Sequence, residues 1–157
     1  MDILRKMRLK DVMDTKVITV SEDDDLAIAH DKFIVHGVFY ICVTDSDEKL
    51  TGLLSHKYLY RAQSPRRIIE GQNVYDKNIV IDGDSYFDKS ILDGYHLKTI
   101  MKRDPFTMRP DDSIAAAITN MARRQIGCIP VVNEYRKIEG IVTNQDVVHL
   151  ISNLLNQ

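Results

Sequence analysis

Apolar residues return at the spacing of one helix face in two places. They fall at Ile114, Ala117, Ile118, Met121 and Ala122, and at Leu26, Ala29, His30, Phe33 and Ile34, with His30 the polar member of the second set. Positions i, i+3, i+4, i+7 and i+8 share one stripe of an α-helix. Behind each stripe comes a short, nearly unbroken apolar run, 38–43 and 126–132, that reads as a buried strand. A polar turn follows at 45–48 and 133–136, then a second strand at 49–54 and 137–142, then a helix starting at Ser55 or Thr143. Ahead of each first helix stands an extended piece, 17–20 and 105–108. The pairs Asp23-Asp24 and Asp111-Asp112 are expected to cap the helices, because carboxylates suit the free N–H groups and the positive end. The order strand–helix–strand–strand–helix thus appears twice.

The two strings are copies. A shift of 88 aligns residues 9–62 with 97–150 without a gap and gives twelve identities, among them Leu9/Leu97, Met13/Met101, Asp24/Asp112, Ala29/Ala117, Ile41/Ile129 and Gly52/Gly140. One register held across turns, helices and strands indicates a duplication. A 54-residue unit exposes too much apolar face to stand alone. Two copies packed sheet to sheet about an approximate two-fold would bury it and leave clefts between them.

Composition narrows the function classes. Lys+Arg 21 against Asp+Glu 23 gives a net charge of −2, no footprint for duplex nucleic acid. No apolar run approaches the ~20 residues of a membrane span. The N-terminus lacks the pattern of a secretory signal, so a cytoplasmic protein is expected. Cys42 and Cys128 form no CxxC pair and read as two buried thiols in a reducing compartment. The five histidines show no metal-ligand spacing, so no metal is expected. No nucleophile–base pair is visible, which argues against an enzyme. A nucleotide hydrolase would have only His36 and His56 as candidate bases.

The element order, with Gly-Ile-Val-Thr-Asn-Gln-Asp at 140–146 and Ile-Gly-Cys-Ile-Pro-Val-Val at 126–132, resembles the cystathionine β-synthase (CBS) domain family. The two copies look like one Bateman module. The resemblance implies a mixed α/β (α+β) fold of two β-α-β-β-α repeats with pseudo-two-fold symmetry, at 8–62 and 96–157, joined by an inserted, partly packed segment at 63–95. It implies a regulatory module that senses adenosyl ligands, with AMP, ADP, ATP and S-adenosylmethionine as candidates and no cofactor required. It also implies a homodimer and an unidentified regulated protein.

The motif has its own physics. Gly140 permits close backbone approach, and Ile141 and Val142 continue a buried strand. Thr143 stands where strand becomes helix, so its hydroxyl and the N–H groups behind it suit an anion. Asp146 can accept two bonds from the vicinal hydroxyls of a ribose. The same Thr143-x-x-Asp146 is also a capping-box pattern, with Asp146 bonded back to the Thr143 backbone.

Carried over from the family, the site on Asp146 comprises Gly140, Ile141, Thr143 and Gln145 and borrows Met13, Lys16 and Ile18 around the base. Val38, Phe39 and Tyr40 form the opposite wall, and His36 stands at a phosphate-binding position. Phe39 and Tyr40 read equally as core, and His36 as an exposed helix end favoured by the dipole. In the first repeat the motif becomes Gly52-Leu53-Leu54-Ser55-His56-Lys57-Tyr58. Tyr58 replaces the aspartate, and a phenol cannot clamp a diol as a carboxylate does. Ser55 and Tyr58 therefore mark a degenerate second site, and one competent site per chain is expected. The rival reading is a structural or interaction module with vestigial clefts.

The segment 63–95 has no counterpart. Ile79-Val80-Ile81 ahead of Asp82-Gly83-Asp84 reads as a strand ending in a turn. The acidic string fails the calcium-loop template, because Phe87 stands where glycine is needed.

Overall fold

A computed structural model describes residues 2–57, 66–67, 79–82, 85–88 and 96–156. The chain begins with α1 (Asp2–Lys6) and a 3-10 turn (Leu9–Asp11). Then come β1 (Thr19–Ser21), α2 (Leu26–His36), β2 (Tyr40–Thr44) and β3 (Leu50–Ser55). Inside the inserted segment are β4 (Arg66–Arg67), β5 (Ile79–Asp82) and β6 (Ser85–Asp88). The second repeat supplies α3 (Leu97–Ile100), β7 (Lys102–Arg103), α4 (Ile114–Arg124), β8 (Cys128–Val132), β9 (Ile138–Thr143) and α5 (Asn144–Leu155). The fold is mixed α+β, with sheets ordered β1-β2-β3-β7, β4-β6-β5 and β8-β9. The strand expected at 79–81 is β5, antiparallel to β6 with Ile81 opposite Tyr86. The turn at Gly83-Asp84 lies outside the described residues.

The two compact units of the chain are not the two repeats. One contains 1–17, 44–51 and 104–157; the other contains 18–43 and 52–103. The opening segment of each repeat therefore packs with the body of the other.

In the first unit Leu9 is fully buried in a core of Met108, Ile114, Ala117, Met121, Ile129, Val131 and Val142. Its N–H donates to Asp112 O (2.9 Å) and that of Lys10 to Pro110 O (3.0 Å). α1 packs against α4. β8 and β9 pair antiparallel, with Ile129 opposite Val142 and Val131 opposite Gly140.

In the second unit Leu97 and Met101 enter the core of Val20, Leu26, Ala29, Phe33, Ile41, Val43 and Leu54. The Leu97 N–H reaches Asp24 O, and β7 pairs with β3. Burial of one leucine contributes roughly 1.5–3 kcal/mol, so these short segments are bound by their cores rather than by helix propensity.

Three local details decide where elements begin and end. The aspartate pairs do not cap the helices. Asp24 Oδ2 accepts from Ser21 N–H (2.9 Å) and Asp112 Oδ2 from Arg109 N–H (2.7 Å), so each closes a turn before the helix. The N-caps are Asp25 and Ser113. The carboxylates bond backward because the chain is still turning at that point and its N–H groups three residues back are unpaired.

α2 ends on Gly37 at φ 61°, and α4 ends on Gln125 at φ 54°. The hairpin turns match. Asp45 Oδ1 accepts from Asp47 and Lys49 N–H groups, as Asn133 Oδ1 does from Tyr135 and Lys137, and Glu48 and Arg136 both take positive φ.

Candidate functional site

β9 emerges from the core at Val142, and Thr143, half-buried, is the N-cap of α5. Asp146 sits at the third helical position and bonds back. Its Oδ2 accepts from the Thr143 N–H and from Thr143 Oγ1–H, each at 2.7 Å, while Thr143 Oγ1 accepts a long bond from the Asp146 N–H (3.4 Å). The capping box is thus formed. Among the described residues Asp146 Oδ1 has no partner. The cap holds the carboxylate by one oxygen and leaves the lone pairs of the other available. The Thr143 hydroxyl, in contrast, is spent on the cap. Gln145 is exposed in the first turn of α5.

On one side of this strand-to-helix junction lies the opening segment of the chain. Asp14 and Ile141 exchange both backbone bonds (3.0 and 2.9 Å). Met13 lies on Gly140: a Cβ there would come within 2.5 Å of Met13 Sδ and 3.1 Å of Asp14 O. The close approach that glycine permits is therefore used by the protein's own chain. Ile141 likewise gives its N–H and C=O to Asp14. Lys16 is exposed, with its N–H bound to Asp14 Oδ1 (2.8 Å).

On the other side, the Asn144 N–H donates to Gly127 O (2.9 Å), and Cys128 pairs with Thr143. Asp14 and Gly127 were not among the residues expected here. Asp14 has no sequence signal, since its repeat equivalent is Lys102. Gly127 has one: it is the repeat equivalent of Phe39, a residue of the expected site.

The remaining expected residues belong to the second unit. Ile18 and Val38 are half-buried against its core, and the Ile18 C=O accepts from Cys42 N–H (3.1 Å). His36 is exposed at the C-terminal end of α2. Tyr40 is half-buried at the start of β2. Phe39 is 62% exposed, which corrects its reading as core. It precedes β2, where alternation has not begun, and its C=O serves as acceptor for His56 N–H (3.0 Å). In the first repeat's motif Ser55 Oγ accepts from Lys57 N–H (3.3 Å), and the His56 ring meets Phe33 edge-on at 5.5 Å. Tyr58 lies outside the described residues.

Other chemistry is sparse. Cys42 and Cys128 are both buried. Burial pushes the Cys42 thiol up to about 12, so it is a poor nucleophile at neutral pH. Among the described residues no cluster of His, Cys, Asp and Glu is placed to hold a metal, and no helix is long and apolar enough to cross a membrane. In the junction just described, the Asp146 carboxylate can accept further hydrogen bonds, and Asp14 stands on the neighbouring segment.

Comparison with known proteins gives the arrangement a context. The family model described as the CBS domain matches residues 9–65 and again 97–153. A homoserine O-acetyltransferase from Methanosalsum zhilinae is 23% identical over 96% of this chain and 25% of its own length. The chain spans about a quarter or less of the length of the first such relatives it matches. A CBS domain-containing protein from Dictyostelium discoideum is 22% identical over 96% of this chain and 94% of its own. Among solved structures, the CBS domain pair of protein MJ0100, in complex with 5′-methylthioadenosine and S-adenosyl-L-methionine, has TM-score 0.70 and 21% identity, covering 92% of this chain and 99% of that one. CBSX2 in complex with AMP has TM-score 0.70 and 19% identity, covering 94% and 97%.

Proposed function

Because the chain belongs to the CBS domain family, with two such domains in tandem, we propose that it is a regulatory module that senses an adenosine nucleotide or related adenosyl compound. The observation that carries this reading is the Asp146 carboxylate, fixed through Oδ2 by Thr143 and, among the described residues, unbonded at Oδ1. A carboxylate already oriented by its cap loses little freedom on accepting ribose hydroxyls, and charge-assisted bonds of this kind contribute ~1.5–3 kcal/mol. The AMP, 5′-methylthioadenosine and S-adenosylmethionine held by structurally similar domain pairs name the class of probe. Lys16, exposed on the segment that pairs with β9, supplies a cation for a phosphate. One site per chain is proposed, and no catalytic step. The module works by linkage, shifting an equilibrium by its differential affinity for two arrangements. Its proposed setting is the cytoplasm.

A second reading is favoured by one surface. Ile34, Val35 and Phe39 are 64%, 77% and 62% exposed around the end of α2. Such an apolar patch suits a protein contact, either a homodimer or the regulated partner.

Thermal unfolding and calorimetry with AMP, ATP, 5′-methylthioadenosine and S-adenosylmethionine test the first reading. Ligand at 100 times its Kd adds ~2.7 kcal/mol, a rise of roughly 5–10 °C at this size, with one ligand per chain. No shift with any of the four leaves only the interaction module.

A further inference from the structure

We infer that residues 8–16 form a strap whose docking on β9 is coupled to ligand bound at the Thr143–Asp146 junction; this rests on the reading of that junction given above. The strap is held unevenly. At its anchored end Leu9 is buried without exposed surface, Leu9 and Lys10 donate to Asp112 O and Pro110 O, Ile114 N–H donates to Met7 O (3.1 Å), and the Lys10 ammonium bonds Asp111 (2.7 Å). Toward its other end Val12 and Met13 are half-buried against the same core and Met13 lies on Gly140, while beyond them the described residues show one isolated bridge, Asp14 with Ile141. After Val17 the chain leaves this compact unit. A single bridge between an edge strand and a short segment opens locally at far lower cost than the core.

The bridge and the site share one strand. Ile141 is two residues from Thr143, and Thr143 fixes Asp146 by its N–H and hydroxyl. A ligand that orders the end of β9 therefore favours the paired state of Ile141, and by reciprocity a docked strap favours the ligand. The far end of the strap continues directly into Ile18 and β1, so ligand occupancy bears on the rest of the first repeat through the chain itself.

Gly140 is the steric condition for docking. Cβ at this position would meet both the Met13 side chain and the Asp14 backbone oxygen. At its repeat counterpart Gly52 the three nearest atoms a Cβ would meet all belong to the Met101 side chain, with no backbone atom among them.

Amide exchange on the full chain, with and without saturating AMP, tests the coupling. The Asp14 and Ile141 amides are expected to slow about tenfold, and the Leu9 and Lys10 amides to stay unchanged. Gly140→Ala should weaken AMP binding roughly fivefold or more, in the usual range of coupling between sites, while Gly52→Ala changes it less than about twofold. AMP binding with unchanged exchange at Asp14 and Ile141 overturns the strap and leaves the site standing. Absence of binding by AMP, 5′-methylthioadenosine and S-adenosylmethionine overturns the site and the strap with it. If Gly140→Ala does not fold, exchange in the unsubstituted protein decides.

Discussion

The segments 52–57 and 140–145 hold the same place in their repeats and end differently. Both glycines receive a methionine from the other repeat's opening segment. Both helix starts donate an N–H to the equivalent carbonyl, His56 to Phe39 and Asn144 to Gly127. Beyond that the chemistry parts. Thr143 is locked in a capping box with Asp146, whereas among the described residues Ser55 accepts a 3.3 Å bond from Lys57, and His56 turns its ring onto Phe33. The shared features are mutual: a larger residue at Gly140 would need a new partner for Met13. The residues at the helix start answer to no such partner, so one copy has room to specialise. The first helices show the same divergence. α2 exposes Ile34 and Val35, while α4 has Ala122 and Arg123 at those positions, and only α4 has a working side-chain cap.

The largest expected effect tests what the halves share. Leu9→Ala and Leu97→Ala each remove a fully buried side chain from the core it borrows. Each should cost about 2–5 kcal/mol in urea unfolding. A loss under 1 kcal/mol from either would show that this opening segment is not part of the core.

Next comes the feature that separates them. Asp146→Ala should lower AMP affinity about 10- to 150-fold by calorimetry and reduce stability by ~1 kcal/mol through loss of the cap. A stability loss with unchanged affinity would reduce Asp146 to a cap and make the two ends alike.

A smaller contrast lies at the N-caps. Ser113→Ala removes a bond to Ala116 N–H and should cost ~1 kcal/mol. Asp25→Ala, where the carboxylate makes no cap bond, should stay within about 0.5 kcal/mol.

The weakest effect is electrostatic and has a counterpart in the second unit. The hydrogen bond and charge of Lys10 hold the Asp111 carboxyl below its ordinary value, and Asp111 holds Lys10 above its own. Lys98 is raised likewise by Asp23. The Asp111 contribution is complete above the unfolded pKa near ~3.9 and is lost as pH falls through the lower folded value. The Lys10 contribution is complete below ~10.4 and is lost as pH rises through the higher folded value. Asp111→Asn should therefore lower the unfolding midpoint slightly at pH 7, and by less as pH falls below the carboxylate range or in 1 M salt. An equal decrease at pH 2 would assign the effect to packing.

Much of this was legible beforehand. The stripes of α2 and α4, the two hairpin turns and the repeat follow from local pattern. Thr143 and Asp146 were found because their spacing is a local property of a helix start. Helix caps were misplaced by one or two residues, because an aspartate ahead of a helix can serve a turn as well as a cap. Phe39 could not be assigned from its apolar character, since it lies where the strand has not yet begun.

Sequence alone determined the elements and the capping box at Thr143, which depend on contacts within a few residues, and the duplication, which needs only the chain laid against itself. It did not determine which core each opening segment enters. Leu9-Lys10 and Leu97-Lys98 are identical, and Met13 and Met101 follow at the same interval, so nothing local distinguishes their destinations. The tertiary structure settles this by fit: Leu9 fills the core around Ile114 and Val142, Leu97 the one around Leu26 and Leu54. Burial in a closed core depends on the whole surrounding set of side chains, and that set is assembled only when distant parts of the chain meet.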